Sequence, residues 1–155
     1  MIDGIEVIPL RRFEDARGWF AELRRDSKLP RHTAQTNLSF SRKGVIRGLH
    51  YHERGQDDLF ACLQGMARVV VLDRGSGETF TADVGEENFV AIYIPGRHAH
   101  GFEALSDLLF CYHVTEEYDP ADPDEHEIPW DDPRVKHLWS TQSPILSERD
   151  AAASS

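Results

Sequence analysis

Cysteine is nearly missing from this chain: two occur in 155 residues, Cys62 and Cys111. Each lies inside an apolar run (LFACL, LLFCY), which predicts buried free thiols in a reducing cytoplasm rather than a disulfide framework. Base is scarce as well. Lys and Arg number 17 against 27 Asp and Glu, a formal net charge of −10. So acidic a chain lacks the basic footprint that nucleic acid or an anionic membrane requires, and neither is expected as a partner. No apolar run approaches the roughly 20 residues of a membrane-spanning helix. The N-terminal stretch MIDGIEVIPL carries acid where a signal peptide carries base, so no export is expected. Repeats, low-complexity tracts and linkers are absent, and the length fits one domain over residues 1–155.

Helix signals are also few. The best is Ser147-Glu148-Arg149-Asp150 ahead of three alanines, a capping box opening a short C-terminal helix. Glycine and proline instead punctuate the chain, and the runs between them are rich in Val, Ile, Phe and Tyr. Strands are predicted at Ile5–Pro9, Gly18–Leu23, Gln35–Phe40, Val45–His52, Asp58–Leu63, Ala67–Asp73, Thr79–Val84, Phe89–Ile94, His100–Leu105 and Leu108–Glu116. Many short strands at that spacing predict an all-β sandwich or barrel. The run from Asp73 to Gly77 reads as a hairpin turn. Residues 119–133 hold four prolines and seven acids and read as an extended loop.

The chemistry concentrates between Gly48 and Gly65. Residues two apart on a strand share a face, so His50 and His52 project together, as do Asp58, Phe60 and Cys62 on the next strand. His98 and His100 form a second His-x-His pair, and Tyr112 sits among alternating apolar residues. A lone histidine is usually a satisfied polar group. Tyr112 alone would read as a core aromatic, and Asp150 alone as a capping residue. Two His-x-His pairs within one β-domain point instead to a site. His32, His113, His126 and His137 read as surface or loop residues without a role.

Several segments together resemble the dTDP-4-dehydrorhamnose 3,5-epimerase family of nucleotide-sugar epimerases. They are Phe13–Glu22, Gln35–Ser39, Gly44–Tyr51, Ile94–Phe102, Tyr112–Tyr118, Trp130–Pro133 and Leu146–Ala153. The resemblance implies a cupin-type jelly roll (double-stranded β-helix) and a nucleotide-diphosphate sugar as partner. It implies His50 as general base oriented by Asp150, and Tyr112 as proton donor on the opposite face of the sugar. Arg17 and Glu22 would hold the nucleotide, with Gln35 and Asn37 beside it. Arg47 would meet the diphosphate, and His100 and Tyr118 would line the sugar pocket. It also implies a homodimer exchanging N-terminal strands, and no cofactor. The chemistry is self-consistent: a keto group at C4 acidifies C3 and C5, a base removes one proton, and an acid returns one to the other face. Epimerisation of a nucleotide-linked 4-keto-6-deoxy sugar, at C3, C5 or both, is the expected function.

The chain departs from that family at three places. A lysine credited with stabilising the enolate is usual where Asp58 stands, glutamine is usual at His52, and the lysine's aspartate partner falls on Val69. Relatives also usually continue further beyond Asp150, so a more open pocket is expected. A carboxylate aimed at a developing oxyanion has the wrong sign. Asp58 therefore faces solvent, meets an arginine such as Arg54, or belongs to a metal site. His50, His52, Asp58 and His100 have the spacing of a divalent metal site. Two alternatives accordingly stand beside the epimerase: a metal-dependent isomerase or oxygenase on the same scaffold, and a nucleotide-sugar-binding protein without catalysis.

Overall fold

Two antiparallel sheets form from the predicted strands in the structure, a computed structural model that describes residues 1–154. In chain order the strands are β1 (Glu6–Pro9), β2 (Phe13–Asp15), β3 (Gly18–Phe20), β4 (Gln35–Ser41), β5 (Ile46–Tyr51) and β6 (Asp58–Gln64). They continue with β7 (Met66–Leu72), β8 (Thr79–Gly85), β9 (Val90–Ile94), β10 (Ala99–Ala104), β11 (Leu108–Val114) and β12 (His126–Glu127). A single α-helix among the described residues, α1 (Glu148–Ala153), follows. One sheet runs β1-β9-β6-β11-β4 and the other β12-β5-β10-β7-β8, while β2 and β3 pair as a separate hairpin. This is the expected all-β jelly roll. Among the described residues no helix is long and apolar enough to cross a membrane.

The strand sequences explain the layering. Along β7, Ala67, Val69 and Val71 face the core between the sheets, where they meet Phe60, Ile92, Phe102 and Phe110. Phe102 and Phe110 stack with centroids 3.9 Å apart, and Phe60 meets Phe110 edge-on at 5.1 Å. The intervening Val70 and Leu72 are also fully buried, because a second cluster with Trp130, Val135 and Trp139 covers the outer face. A β-run apolar on both faces is what a strand covered on both sides requires. Cys62 and Cys111 are buried and free, as expected.

Some boundaries differ from the sequence reading. The strand expected over Gly18–Leu23 stops at Phe20 and pairs with a strand not predicted, Phe13–Asp15. Both are exposed along their length, so no buried face imposes the alternation that marks a strand. Two residues of the acidic loop, His126 and Glu127, pair with β5 as β12. The Asp73–Gly77 turn forms as expected, with the Asp73 carboxylate accepting the Gly75 and Ser76 N–H groups.

Glu103 on β10 holds the C-terminal segment against the second sheet. It is 2% exposed. Its carboxylate accepts the backbone N–H of Ser140 at 2.8 Å and of Thr141 at 3.2 Å, and also the Ser140 hydroxyl. Glu103→Ala would leave these donors without their acceptor. A loss of about 3 kcal/mol in urea-denaturation stability is expected, with the sheet signal in circular dichroism retained before the transition.

Candidate active site

The site begins with a close approach of β5 and β10. Gly48 has φ +135°, and a Cβ there would stand 2.8 Å from the Gly101 Cα. Any side chain would push the strands apart. Held this close, the ladder sets His50 directly opposite His100. A cleft of about 1070 Å³ opens over them, lined from both sheets. His50 reaches it from the second sheet, and Tyr112 on β11 from the first.

His50 Nε2 lies 3.0 Å from Asp150 Oδ1. The capping role expected of Ser147 is met by half of the box: its Oγ accepts the Asp150 N–H at 3.1 Å. The Asp150 carboxylate instead turns inward, where it also accepts the Gly48 N–H at 3.3 Å. Burial works against its charge, but the hydrogen bonds from His50 and Gly48 outweigh it and hold the carboxyl below the usual range. An ionised carboxylate only accepts, so His50 Nε2 carries the hydrogen, and in the neutral ring Nδ1 is the nitrogen with the lone pair. Glu125 lies 3.8 Å from that Nδ1.

Gln35, Asn37, Arg47 and Tyr118 line the same cleft. Gln35 donates to Asn37 at 2.8 Å and accepts the Tyr118 N–H at 2.9 Å. Arg47 is tied to Ser41 Oγ at 2.8 Å and to the Phe40 carbonyl. Arg17 and Glu22 are not among the lining residues. Arg17 sits at the exposed β2–β3 turn and pairs with Asp15, and Glu22 pairs with Arg25. The hairpin that carries Arg17 meets the sandwich through Trp19 against Phe89, with centroids 5.8 Å apart, and lies outside the cleft, so the chain's own cleft lacks both.

Asp58 neither faces solvent nor meets Arg54. It is 5% exposed, and Arg54 turns to Asp122 at 2.7 Å. Its Oδ2 lies 3.1 Å from His100 Nε2, and Oδ1 accepts the Gln56 amide at 2.9 Å. Burial opposes the Asp58 charge, yet His100, His52 and Gln56 draw its carboxyl below the usual range. Burial likewise opposes a charged His100, and Asp58 outweighs it and raises the ring's pKa. His52 moves the other way, lowered by burial and by His100. The expected set of four metal ligands does not assemble, because His50 Nε2 is given to Asp150. His52, Asp58 and His100 do converge, with one donor atom from each all within 4.8 Å of one another.

Two expectations for histidines need correction. His98 does not join His100, since it precedes β10 and its ring turns to the Asp3 carbonyl at 3.0 Å. His113 is not a surface residue: it is 5% exposed on β11, with Nδ1 2.8 Å from Thr36 Oγ1. Sequence reasoning also passed over Gln56, Asp124 and Glu125. The Asp124 carbonyl takes the hydrogen of His52 Nδ1 at 2.6 Å, and its carboxylate accepts the Glu53 and Arg54 N–H groups. The one signal for Asp124 and Glu125 was the acidity of their loop, and Gln56 had none.

Burial raises the Tyr112 phenol above its usual 10.0, with Arg47 opposing and Asp58 and Glu125 adding to the rise. The phenol therefore keeps its proton at neutral pH. An ultraviolet titration of the protein against its Tyr112→Phe variant should show the missing phenolate signal with its midpoint above pH 10.0. A midpoint at or below that pH would contradict the buried setting.

Comparisons with known proteins bear on the family and the fold. The family model described as dTDP-4-dehydrorhamnose 3,5-epimerase matches residues 1–155. The spore coat polysaccharide biosynthesis protein SpsL of Bacillus subtilis is 42% identical over 150 residues, covering 92% of this chain and 99% of its own. The Legionella pneumophila epimerase RmlC, solved in complex with dTDP-4-keto-L-rhamnose, is 33% identical and superposes with a TM-score of 0.88 over 99% of this chain and 88% of its own. ChmJ, a 3'-monoepimerase from Streptomyces bikiniensis solved with dTDP-quinovose, is 28% identical with a TM-score of 0.88 over 99% of this chain and 84% of its own. This chain belongs to the dTDP-4-dehydrorhamnose 3,5-epimerase family.

Proposed function

We propose that this protein epimerises a nucleotide-linked 4-keto-6-deoxy sugar at C3, C5 or both. His50 takes a proton from the carbon beside the keto group through Nδ1, and Asp150 keeps the hydrogen on Nε2. The resulting enolate is reprotonated on its other face by Tyr112. The single observation that carries this reading is the His50–Asp150 dyad on one wall of the cleft with Tyr112 on the opposite sheet. The ketone itself acidifies the carbon, so no nicotinamide is required. Gln35, Asn37 and Arg47 hold the nucleotide and diphosphate, and His100 and Tyr118 line the sugar pocket. Family members that invert one centre and members that invert two are both known by name, so the number of centres is a matter for experiment.

The working unit in this reading is a cytoplasmic homodimer. Phe13, Trp19 and Phe20 on the hairpin are 47%, 53% and 65% exposed, and Leu38 and Phe40 on the edge strand β4 are 63% and 55% exposed. Apolar surface of this extent suits a self-association face. The hairpin of a second copy would carry Arg17 and Glu22 to the cleft that lacks them.

In D₂O with dTDP-4-keto-6-deoxyglucose, the protein should introduce deuterium at the epimerised carbon, read by proton NMR. His50→Asn should reduce this exchange by at least about 10²-fold while nucleotide affinity stays nearly unchanged. Exchange at the wild-type rate would remove His50 from the mechanism. Analytical ultracentrifugation should find twice the chain mass, and the double variant Leu38→Glu/Phe40→Glu should sediment as a monomer. A wild-type monomer at micromolar concentration would exclude the dimer.

A further inference from the structure

Enolisation leaves negative charge on the keto oxygen, and that charge needs an electropositive group near it. No lysine lines the cleft. Its three arginines are engaged elsewhere: Arg47 with Ser41, Arg54 with Asp122, and Arg149 with Glu125 and Glu127. Lining the same cleft are His52, Asp58 and His100, which are 6%, 5% and 3% exposed. His52 follows β5, Asp58 opens β6 and His100 lies in β10, so the fold gathers them from separate elements.

A hydrogen inventory shows what this cluster is prepared for. His52 Nδ1 lies 2.6 Å from the Asp124 carbonyl oxygen, and His100 Nδ1 lies 2.8 Å from that of His98. Carbonyl oxygens only accept, so both Nδ1 atoms carry their hydrogens. The Nε2 atoms then face the Asp58 carboxylate, at 3.7 Å from His52 and 3.1 Å from His100, and the proton that His100 Nε2 shares with Asp58 is the one an entering cation would displace. Imidazoles fixed by backbone carbonyls through one nitrogen, with the other aimed beside a carboxylate, are arranged as metal ligands are. The Gln56 amide now bridges two of the three, at 2.9 Å from Asp58 Oδ1 and 3.2 Å from His52 Nε2. Gln56 is only half-buried and borders the open cleft, which leaves it room to give way.

We propose that His52, Asp58 and His100 bind a first-row divalent cation in the cleft, and that this cation polarises the keto oxygen of the substrate. The second clause rests on the epimerase reading; the first does not. Two imidazoles and one carboxylate suit Mn, Fe, Co, Ni or Zn and leave coordination positions for an oxygen of the substrate. His50 is not a ligand, so the metal and the base do not compete for one ring.

Cobalt(II) is the probe. The full chain is stripped with chelator, then titrated with cobalt(II) and followed by visible absorption and by elemental analysis after dialysis. One cobalt per chain is expected, with visible d–d bands. His52→Gln and Asp58→Asn should each weaken binding at least about tenfold. Circular dichroism checks the fold of each variant, and either folded variant alone decides. Glu127→Gln is the control, because Glu127, His50 and Asp150 form the other close group of donors. Absence of cobalt binding, binding indifferent to His52→Gln and Asp58→Asn, or binding lost in Glu127→Gln would overturn the site. Deuterium exchange into the sugar should then rise at least about tenfold on reconstitution. Equal exchange in stripped and reconstituted protein would overturn the electrophilic role. Cobalt bound without exchange in either form would overturn the epimerase reading and leave the metal site standing.

Discussion

The contact on which the cleft depends joins two glycines. Gly48 and Gly101 let β5 and β10 approach so closely that a methyl group on either would strike backbone. That approach brings His50 and His100 to one rung of the ladder, with their side chains serving different ends. His50 turns to Asp150, and His100 turns to Asp58. One backbone constraint thus sets two imidazole–carboxylate pairs side by side in one cleft. Each carboxylate is buried and held ionised by the donors around it. Fixed charge of this kind, placed before substrate arrives, is how a protein site lowers the cost of charge developing during reaction.

The C-terminal segment supplies the other half of the dyad. Trp139 donates its indole N–H to the Trp130 carbonyl, and both rings cover the outer face of the second sheet. Glu103 fastens the following residues, and Ile145 bonds back to Gly44 and Ile46. Only then does Ser147 start α1 and direct Asp150 beneath His50. Packing that looks purely structural therefore determines where a reactive group stands.

The sequence was legible where burial imposes a pattern. Strands β5 to β11 lie between turn residues and carry apolar side chains on at least one buried face, and β4 shows the alternation with Leu38 and Phe40 outward, so their positions could be read and their bounds fell within one residue except at the end of β11, which stops at Val114. The exposed hairpin at Phe13–Phe20 carries no such pattern, and β12 is too short to show one. In the site, the His-x-His spacing at His50 and His52 was readable, but the partners were not. Asp150 lies 100 residues from His50, and no local rule connects them. The dyad came from likeness to a family. Arg54 is near Asp58 in sequence yet pairs with Asp122, because the acidic loop folds back over it. His113 looked like a loop residue because nothing nearby announces that Arg24 and Thr36 cover it.

Asp150 stands on a helix of six residues, far below the length at which a helix persists by itself. Its position is borrowed from the docking of everything between Trp130 and Ser147. The dyad is therefore a fuse. Local release of this segment separates Asp150 from His50 while both sheets remain paired, since neither sheet takes a strand from residues 130–147, whose one bridge joins Ile145 to Val45 outside the ladders. On warming, His50 should lose its Asp150 partner before the sandwich melts. Catalysis and sheet content then become separate thermometers of the same chain.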